Sequence, residues 1–179
     1  MKLLIIMVGV PGSGKSTIRD KLFPEATVVC PDDLIGYNKK SPWSFKAVKA
    51  AWKKADILLK QALNKGEEIV IFDATMISVK KRKKYIDLGA AKGFSSVALF
   101  CDAPEYLCRQ RNDARDKYRR VPDNTMSSMI EKLVSPSLAE GFKLIITKDS
   151  ISGVISDTLS KEALNIQASF WSATVKGGN

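Results

Sequence analysis

Continuous apolar runs alternate with helical segments along most of the chain. Strands are predicted from apolar or β-branched runs at 3–8, 26–30, 68–72, 96–101 and 143–147. Helices are predicted between and after them at 15–22, 45–63, 80–93, 104–116 and 123–133. Strands without polar alternation are typical of parallel sheets that are covered on both faces. We therefore predict an α/β fold with a doubly wound parallel five-stranded sheet and helices on both faces.

The pattern changes after residue 147. Residues 148–179 contain one stretch that could form an amphipathic helix, through Val154, Ile155, Leu159, Ala163, Leu164, Ile166 and Phe170. The glycine-rich end at 176–179 is expected to fray. We predict a domain over residues 1–147 and a C-terminal extension over 148–179 that packs one helix on it.

The turn between the first strand and the first helix carries the most specific pattern in the chain. Its sequence, Gly9-Val10-Pro11-Gly12-Ser13-Gly14-Lys15-Ser16-Thr17, fits the phosphate-loop pattern G-x-x-x-x-G-K-[ST]. The glycines let backbone N–H groups surround a phosphate, which the N-terminus of the helix also attracts. In this pattern the lysine reaches the β- and γ-phosphates and the serine hydroxyl ligates Mg²⁺. A chance glycine-rich turn is the alternative, but both flanks have the expected type. The whole loop is therefore predicted to bind ATP with Mg²⁺.

The composition of the chain indicates the number of domains, the charge of a partner and the environment of the protein. The chain has 179 residues, of which 45% are hydrophobic, so one domain with a sizeable core is expected. Its 29 Lys and Arg residues against 19 Asp and Glu residues favour an anionic partner, although a merely lysine-rich surface is the alternative. Cys30, Cys101 and Cys108 lack metal-site spacing, which favours reduced thiols in a cytoplasmic protein. No apolar run approaches the roughly 20 residues of a membrane span, so no membrane partner is expected.

Three aspartates follow predicted strands. Asp32 and Asp33 come after the second strand, and Asp73 ends the third. Carboxyl ends of parallel strands form the ligand-binding edge of such a sheet, so these side chains should lie near the phosphate loop. The chain has no histidine, and either Asp32 or Asp33 could accept a proton from an attacking hydroxyl or simply cap the next turn. Asp73 could orient a Mg²⁺-bound water or a lid arginine, or be an ordinary strand-end residue.

An arginine-rich run covers residues 109–120. Arg111 and Arg115 are four positions apart and would share one face of the predicted helix. Planar guanidinium groups hold phosphate oxygens in pairs, so the run is predicted to form a cationic lid over a triphosphate. A solvated helix paired with Asp113 and Asp116 is the alternative.

Further basic and aromatic residues could contact nucleic acid. Residues 80–84, with Lys39, Lys40, Lys46 and Lys49, could follow a phosphate backbone. A base could stack on Tyr37, Trp43 or Phe45. A solvated helix face and ordinary core aromatics explain the same residues equally well.

Together these motifs resemble the phage-type polynucleotide 5′-kinase domain and the wider P-loop kinase superfamily. The resemblance covers residues 1–147 and rests on the phosphate loop, Pro31-Asp32-Asp33, Ile71-Phe72-Asp73-Ala74-Thr75, Arg111-Asn112-Asp113-Ala114-Arg115 and Val121-Pro122. It implies a P-loop NTPase fold and transfer of the γ-phosphate of ATP to the 5′-hydroxyl of DNA or RNA. It also implies that Asp32 is the general base and Asp73 an active-site carboxylate. Arg111 and Arg115 would be lid arginines, with Arg115 nearer the transferred phosphoryl group.

Two positions depart from that family and keep other acceptors open. Pro31 and Ile35 stand where the family has arginines, the second of which is implied to contact the acceptor's phosphate. One alternative is therefore a kinase of a nucleoside, nucleotide, sugar, antibiotic or tRNA-linked hydroxyl. A nucleotide-dependent switch without catalysis is another.

Overall fold

A computed structural model describes residues 1–37, 44–159 and 164–175. Its strands form one sheet in the order β2-β3-β1-β4-β5-β6. The strands are β1 Leu3–Val8, β2 Thr27–Val29, β3 Ile69–Phe72, β4 Ser95–Asp102, β5 Leu144–Asp149 and β6 Ile155–Leu159. The first five pair in parallel, and β6 runs antiparallel to β5. The predicted parallel α/β sheet is thus confirmed, but the described residues form six strands instead of five.

Helices cover both faces of this sheet, as predicted. They are α1 Lys15–Leu22, α2 Phe45–Lys65, α3 Val79–Ala90, α4 Glu105–Asp113, α5 Asp123–Glu131 and α6 Leu164–Val175. One face packs against α2 and α3, through residues such as Leu59 and Ile86. The other face packs against α1 and α6, through residues such as Ile18 and Phe170. Because β1 is buried along its whole length between these layers, the phosphate loop that follows it starts from a fixed point.

The C-terminal extension contributes a strand to the sheet. Residues 155–159, predicted as the start of a helix, form β6 instead, and α6 begins only at Leu164. Asp149 Oδ1 accepts the N–H groups of Ile151 and Ser152, and Gly153 has φ 72°, so the chain reverses there. The returning segment pairs with the backbone groups on the open edge of β5. The predicted division at residue 147 remains a prediction, and residues 176–179 lie outside the described ranges.

The arginine-rich lid also differs from prediction. Helix α4 ends at Asp113 rather than near residue 116, so Arg111 lies in its last turn and Arg115 beyond it. The predicted shared helix face is therefore wrong. The cause is the buried side chain of Asn112, which donates to Val121 O at 2.8 Å and accepts from Val121 N at 3.1 Å. These bonds fold the segment after α4 back on the helix.

Candidate functional site

The sheet brings the predicted site residues to one edge. The phosphate loop follows β1, Asp73 follows β3 and Asp32 follows β2, and these three parallel strands are neighbours. Their carboxyl ends open into a cavity of about 120 Å³. Its lining includes Pro11, Lys15, Ser16, Asp32, Asp33, Asp73 and Arg115. A larger cavity of about 470 Å³, lined by Phe23, Ile69 and Glu68 among others, lies away from the phosphate loop. We place the candidate site at the smaller cavity because the chemically active groups converge there.

The phosphate loop is already wound in the shape that the pattern predicts. Gly12 has φ +82°, and a Cβ there would lie 2.4 Å from the carbonyl oxygen of Cys108, so a larger residue does not fit. Gly14 caps the N-terminus of α1 with a left-handed backbone. The Lys15 ammonium donates to the carbonyl oxygens of Gly9 and Val10, each at 2.9 Å. Burial lowers the pKa of Lys15, and the nearby Asp73 carboxylate opposes this shift.

Asp73 connects the loop to the neighbouring strand. Its Oδ2 accepts from Ser16 Oγ at 3.0 Å and from Arg19 Nη1 at 2.6 Å, and its side chain is 3% exposed. Hydroxyl and carboxylate oxygens are the ligands that Mg²⁺ prefers, either directly or through water, so this donor set fits the ion. The sequence analysis missed Arg19. It lies three positions after Ser16 on α1, and this helical spacing was the available signal.

Asp32 is surrounded by groups that shift the pKa of its carboxyl. It begins a short 3₁₀ turn, and the Tyr37 hydroxyl hydrogen-bonds to its carboxylate. Although Asp32 reaches solvent, the cavity walls withdraw water from its carboxyl and raise its pKa, whereas Arg115 and Lys15 oppose that rise. Burial raises the pKa of the nearby Cys30 thiol to about 12, which keeps it neutral. Asp32 and the adjoining Asp33 are therefore better placed than Cys30 to accept a proton.

The predicted lid arginines occupy different parts of the site. Arg111 Nη1 donates to Gly12 O at 3.1 Å, so it lies on the phosphate loop. Arg115 lines the same cavity as Asp32. Burial lowers the pKa of Arg115, and the Asp32 carboxylate opposes this shift. Among the described ion pairs, none joins Arg111 or Arg115 to Asp113 or Asp116. The paired, solvated helix is thus not what forms.

The other side of the phosphate loop carries residues that sequence reasoning missed. A Cβ on Gly14 would lie 3.6 Å from Arg111 Nη1 and 4.0 Å from Lys148 Nζ, so two cations approach the loop there. Ser150 Oγ donates to Ser13 O at 3.0 Å. Lys148 is the next-to-last residue of β5. Its position directly after the predicted strand 143–147 was the signal that could have identified it.

The row of basic residues predicted at 80–84 is not continuous on the surface. Arg82 is fully buried, and its guanidinium pairs with Glu140 at 2.7 Å. Lys83 pairs with Asp87 and Lys84 with Asp56. Of the other proposed nucleic-acid contacts, Tyr37 lines the cavity and Lys46 and Lys49 are exposed. Phe45 is 71% exposed. Lys39, Lys40 and Trp43 lie outside the described residues.

Comparison with known proteins agrees with this fold. A protein-family model for an AAA domain matches residues 4–136. The chain belongs to this AAA-domain family. It is a member of the P-loop kinase superfamily, and it shares the fold of Kti12 from Chaetomium thermophilum, solved in complex with ADP-AlF₃. That likeness has a TM-score of 0.62 at 16% identity and covers 96% of this chain and 98% of the other.

Two curated relatives of this AAA-domain chain are named kinases. It is 24% identical over 170 residues to an L-seryl-tRNA(Sec) kinase from Methanococcus maripaludis. It is 25% identical over 142 residues to a bifunctional polynucleotide phosphatase/kinase from Schizosaccharomyces pombe. The matches cover 92% and 78% of this chain, which spans 66% and 31% of the relatives' lengths. Among the described residues, no helix has the length and apolar character needed to cross a membrane.

Proposed function

We propose that the chain is an ATP-dependent phosphotransferase that moves the γ-phosphate of ATP to the 5′-hydroxyl of a DNA or RNA end. The observation that carries this proposal is the convergence of Lys15, Asp32 and Arg115 on one cavity beside the phosphate loop. Such a transfer needs a cation for the phosphates, a carboxylate for the hydroxyl proton and a second cation for the charge on the transferred group. The net charge of +10 and the S. pombe relative's name support a nucleic-acid acceptor.

The reaction is an in-line displacement. The acceptor hydroxyl enters from the Asp32 side of the cavity and loses its proton to the Asp32 carboxylate. An O–P bond forms to the γ-phosphorus as the bond to the β–γ bridging oxygen breaks, and ADP leaves. Lys15, Arg111 and Arg115 stabilise the negative charge on the phosphate oxygens. The Ser16 hydroxyl and the Asp73 carboxylate are the groups that would hold Mg²⁺, which would supply further charge compensation.

A second candidate is a hydroxyl carried by aminoacylated tRNA. The M. maripaludis relative, which is named L-seryl-tRNA(Sec) kinase, matches 92% of this chain, more than the S. pombe relative does. The chemistry at Asp32 and Lys15 would be the same, because only the origin of the attacking hydroxyl differs. The surface that contacts the rest of the acceptor would differ between the two.

The test is transfer of label from γ-labelled ATP in the presence of Mg²⁺. The acceptors are 5′-hydroxyl DNA and RNA oligonucleotides, seryl-tRNA, and a panel of nucleosides, nucleotides, sugars and antibiotics. We expect label at the oligonucleotide 5′ end. Label on seryl-tRNA alone would support the second candidate, and label on a small acceptor alone would refute both. Tight ATP binding with no labelled acceptor would indicate a nucleotide-dependent switch.

Paired variants assign the base. We expect Asp32→Asn to keep ATP binding and lose about 10²- to 10⁴-fold in turnover, which is the usual contribution of a general base. Asp33→Asn is the matched control, since Asp33 lines the same cavity one residue away. Equal losses in both variants would contradict the assignment of the proton to Asp32. Lys15→Ala should also lose turnover, but because it removes a contact with the phosphates of ATP.

A further inference from the structure

Arg119 lies at the candidate site although it was given no role of its own: within the arginine-rich run, only Arg111 and Arg115 were assigned as lid arginines. It belongs to the segment between α4 and α5 and lines the same cavity as Asp32 and Lys15. Its guanidinium carbon is 5.9 Å from the centre of the Tyr37 ring, and the Tyr37 hydroxyl bonds to the Asp32 carboxylate. Arg119 is therefore one side chain away from the group that would accept the proton.

The charge of Arg119 has no ion-pair partner among the described residues. The ion pairs of the described ranges engage Arg19, Arg82 and Arg109 but not Arg119. Its neighbour Arg120 donates to the carbonyl oxygen of Asp113, and Arg111 donates to Gly12. Arg119 is exposed, and it lowers the pKa of Asp32 less than Arg115 and Lys15 do. An exposed guanidinium in a cavity without a carboxylate partner is available for an anionic ligand.

The position of Arg119 favours the acceptor over ATP. Lys15 and Arg111 already bond to the phosphate loop, on the nucleotide side. Arg119 lies instead against Tyr37, and the same cavity wall includes Val48 and Trp52. Pro31 and Ile35, which flank Asp32, bring no charge to this side. Among the described residues that line the cavity, Arg115 and Arg119 are the arginines that act on Asp32, and Arg119 is the exposed one, beside Tyr37.

We propose that Arg119 binds the phosphate group of the acceptor that adjoins the attacked hydroxyl, and thereby selects phosphate-bearing acceptors. This inference rests on the proposed function, because it requires a hydroxyl acceptor beside Asp32. The face of the Tyr37 ring holds the guanidinium through a cation–π contact, and the N–H groups at its edge would donate to the phosphate oxygens. For a polynucleotide end, this anion is the phosphate on the 3′ side of the first nucleoside.

The experiment compares Arg119→Ala, Arg119→Lys and Arg120→Ala with the wild type. Arg120 is the matched control because it has the same charge, is also exposed, and is not among the residues that line the cavity. With a 5′-hydroxyl oligonucleotide, we expect Arg119→Ala to raise the acceptor KM about 10- to 100-fold and leave the KM for ATP within about twofold. Arg119→Lys should recover part of the loss, because it restores charge but not the fork. Arg120→Ala should resemble wild type.

A second comparison isolates the acceptor phosphate. The wild type should use a nucleoside 3′-monophosphate better than the unphosphorylated nucleoside, and Arg119→Ala should remove most of that preference. For a single-stranded oligonucleotide, the slope of the logarithm of the binding constant against the logarithm of the salt concentration should also become shallower by about 0.7. This is the change expected for the loss of one phosphate contact. An unchanged preference in Arg119→Ala would overturn the proposal. A rise in the KM for ATP alone would also overturn it, because Arg119 would then belong to the nucleotide.

Equilibrium binding separates this inference from the proposed function. If the wild type transfers no label to any oligonucleotide, the proposed function fails, and Arg119 is judged by the anisotropy of a labelled oligonucleotide. Weaker binding in Arg119→Ala but not in Arg120→Ala would still support an acceptor-phosphate contact. Equal binding by the two variants would refute it.

Discussion

Arg82 and Glu140 form a buried ion pair that ties α3 to the segment before β5. Arg82 Nε and Nη2 donate to the two Glu140 carboxylate oxygens, each at 2.7 Å. Arg82 Nη1 also donates to Met76 O at 3.0 Å and to Val134 O at 2.8 Å. Arg82→Met would keep much of the side-chain volume. It would leave the Glu140 carboxylate, which is almost fully buried, without a cation, and the carbonyl groups of Met76 and Val134 without a donor.

The expected cost follows from these lost contacts. Removing one member of a buried, hydrogen-bonded ion pair lowers the free energy of unfolding by about 3–5 kcal/mol. For a domain of this size, about 2–4 °C of melting temperature per kcal/mol gives a fall of roughly 6–20 °C. Adding Glu140→Leu to Arg82→Met should restore part of this loss, because an apolar pair leaves no buried charge.

The assay is urea unfolding followed by circular dichroism, with the free energy of unfolding extrapolated to water. Lys83→Met is the control because Lys83 lies on the same helix and its pair with Asp87 is exposed on both sides. Its effect should stay below about 0.5 kcal/mol. A loss below about 1 kcal/mol in Arg82→Met, or a double variant less stable than the single one, would refute the reasoning.

Three further predictions concern the site. As the pH falls through the raised pKa of Asp32, kcat/KM should decline, because a protonated carboxyl accepts no proton. If Asp32→Glu gives a pH profile with the same acid limb, the assignment of that limb to residue 32 is contradicted. Arg115→Ala should lower kcat about 10²- to 10³-fold with little change in ATP binding, measured by calorimetry, and a change in ATP affinity alone would disagree. Gly12→Ala should abolish nucleotide binding because its Cβ meets backbone at 2.4 Å, whereas Gly93→Ala, where nothing lies within 4 Å, should bind normally.

Local patterns explain why the phosphate loop and the strand-end aspartates were predictable. The loop is a contiguous motif, so Lys15 and Ser16 could be assigned from sequence alone. Asp32 and Asp73 could be assigned to the same edge because parallel apolar strands place their carboxyl ends together. Both predictions needed only the strand positions, and the sheet order then made the two strands neighbours.

Contacts between distant segments were not predictable in the same way. Arg82 stands in a run of lysines, and Glu140, its partner, is 58 positions away. The helical spacing from Arg82 to Tyr85, Ile86 and Gly89, which are all buried, was a signal that this arginine faces the core. The end of α4 depends on one buried amide, Asn112, whose bonds to Val121 are not visible in any periodicity. The sequence analysis therefore misplaced Arg115 on a helix.

The two bonds from the Lys15 ammonium to the loop's own carbonyl groups have a consequence for nucleotide affinity. The carbonyl oxygens of Gly9 and Val10 accept hydrogen bonds from the ammonium. Any phosphate that engages Lys15 must compete with them, so the measured affinity reports the difference between two sets of contacts rather than the sum of the new ones. The same bonds hold the loop in its wound shape, so binding a phosphate requires little reordering of the backbone.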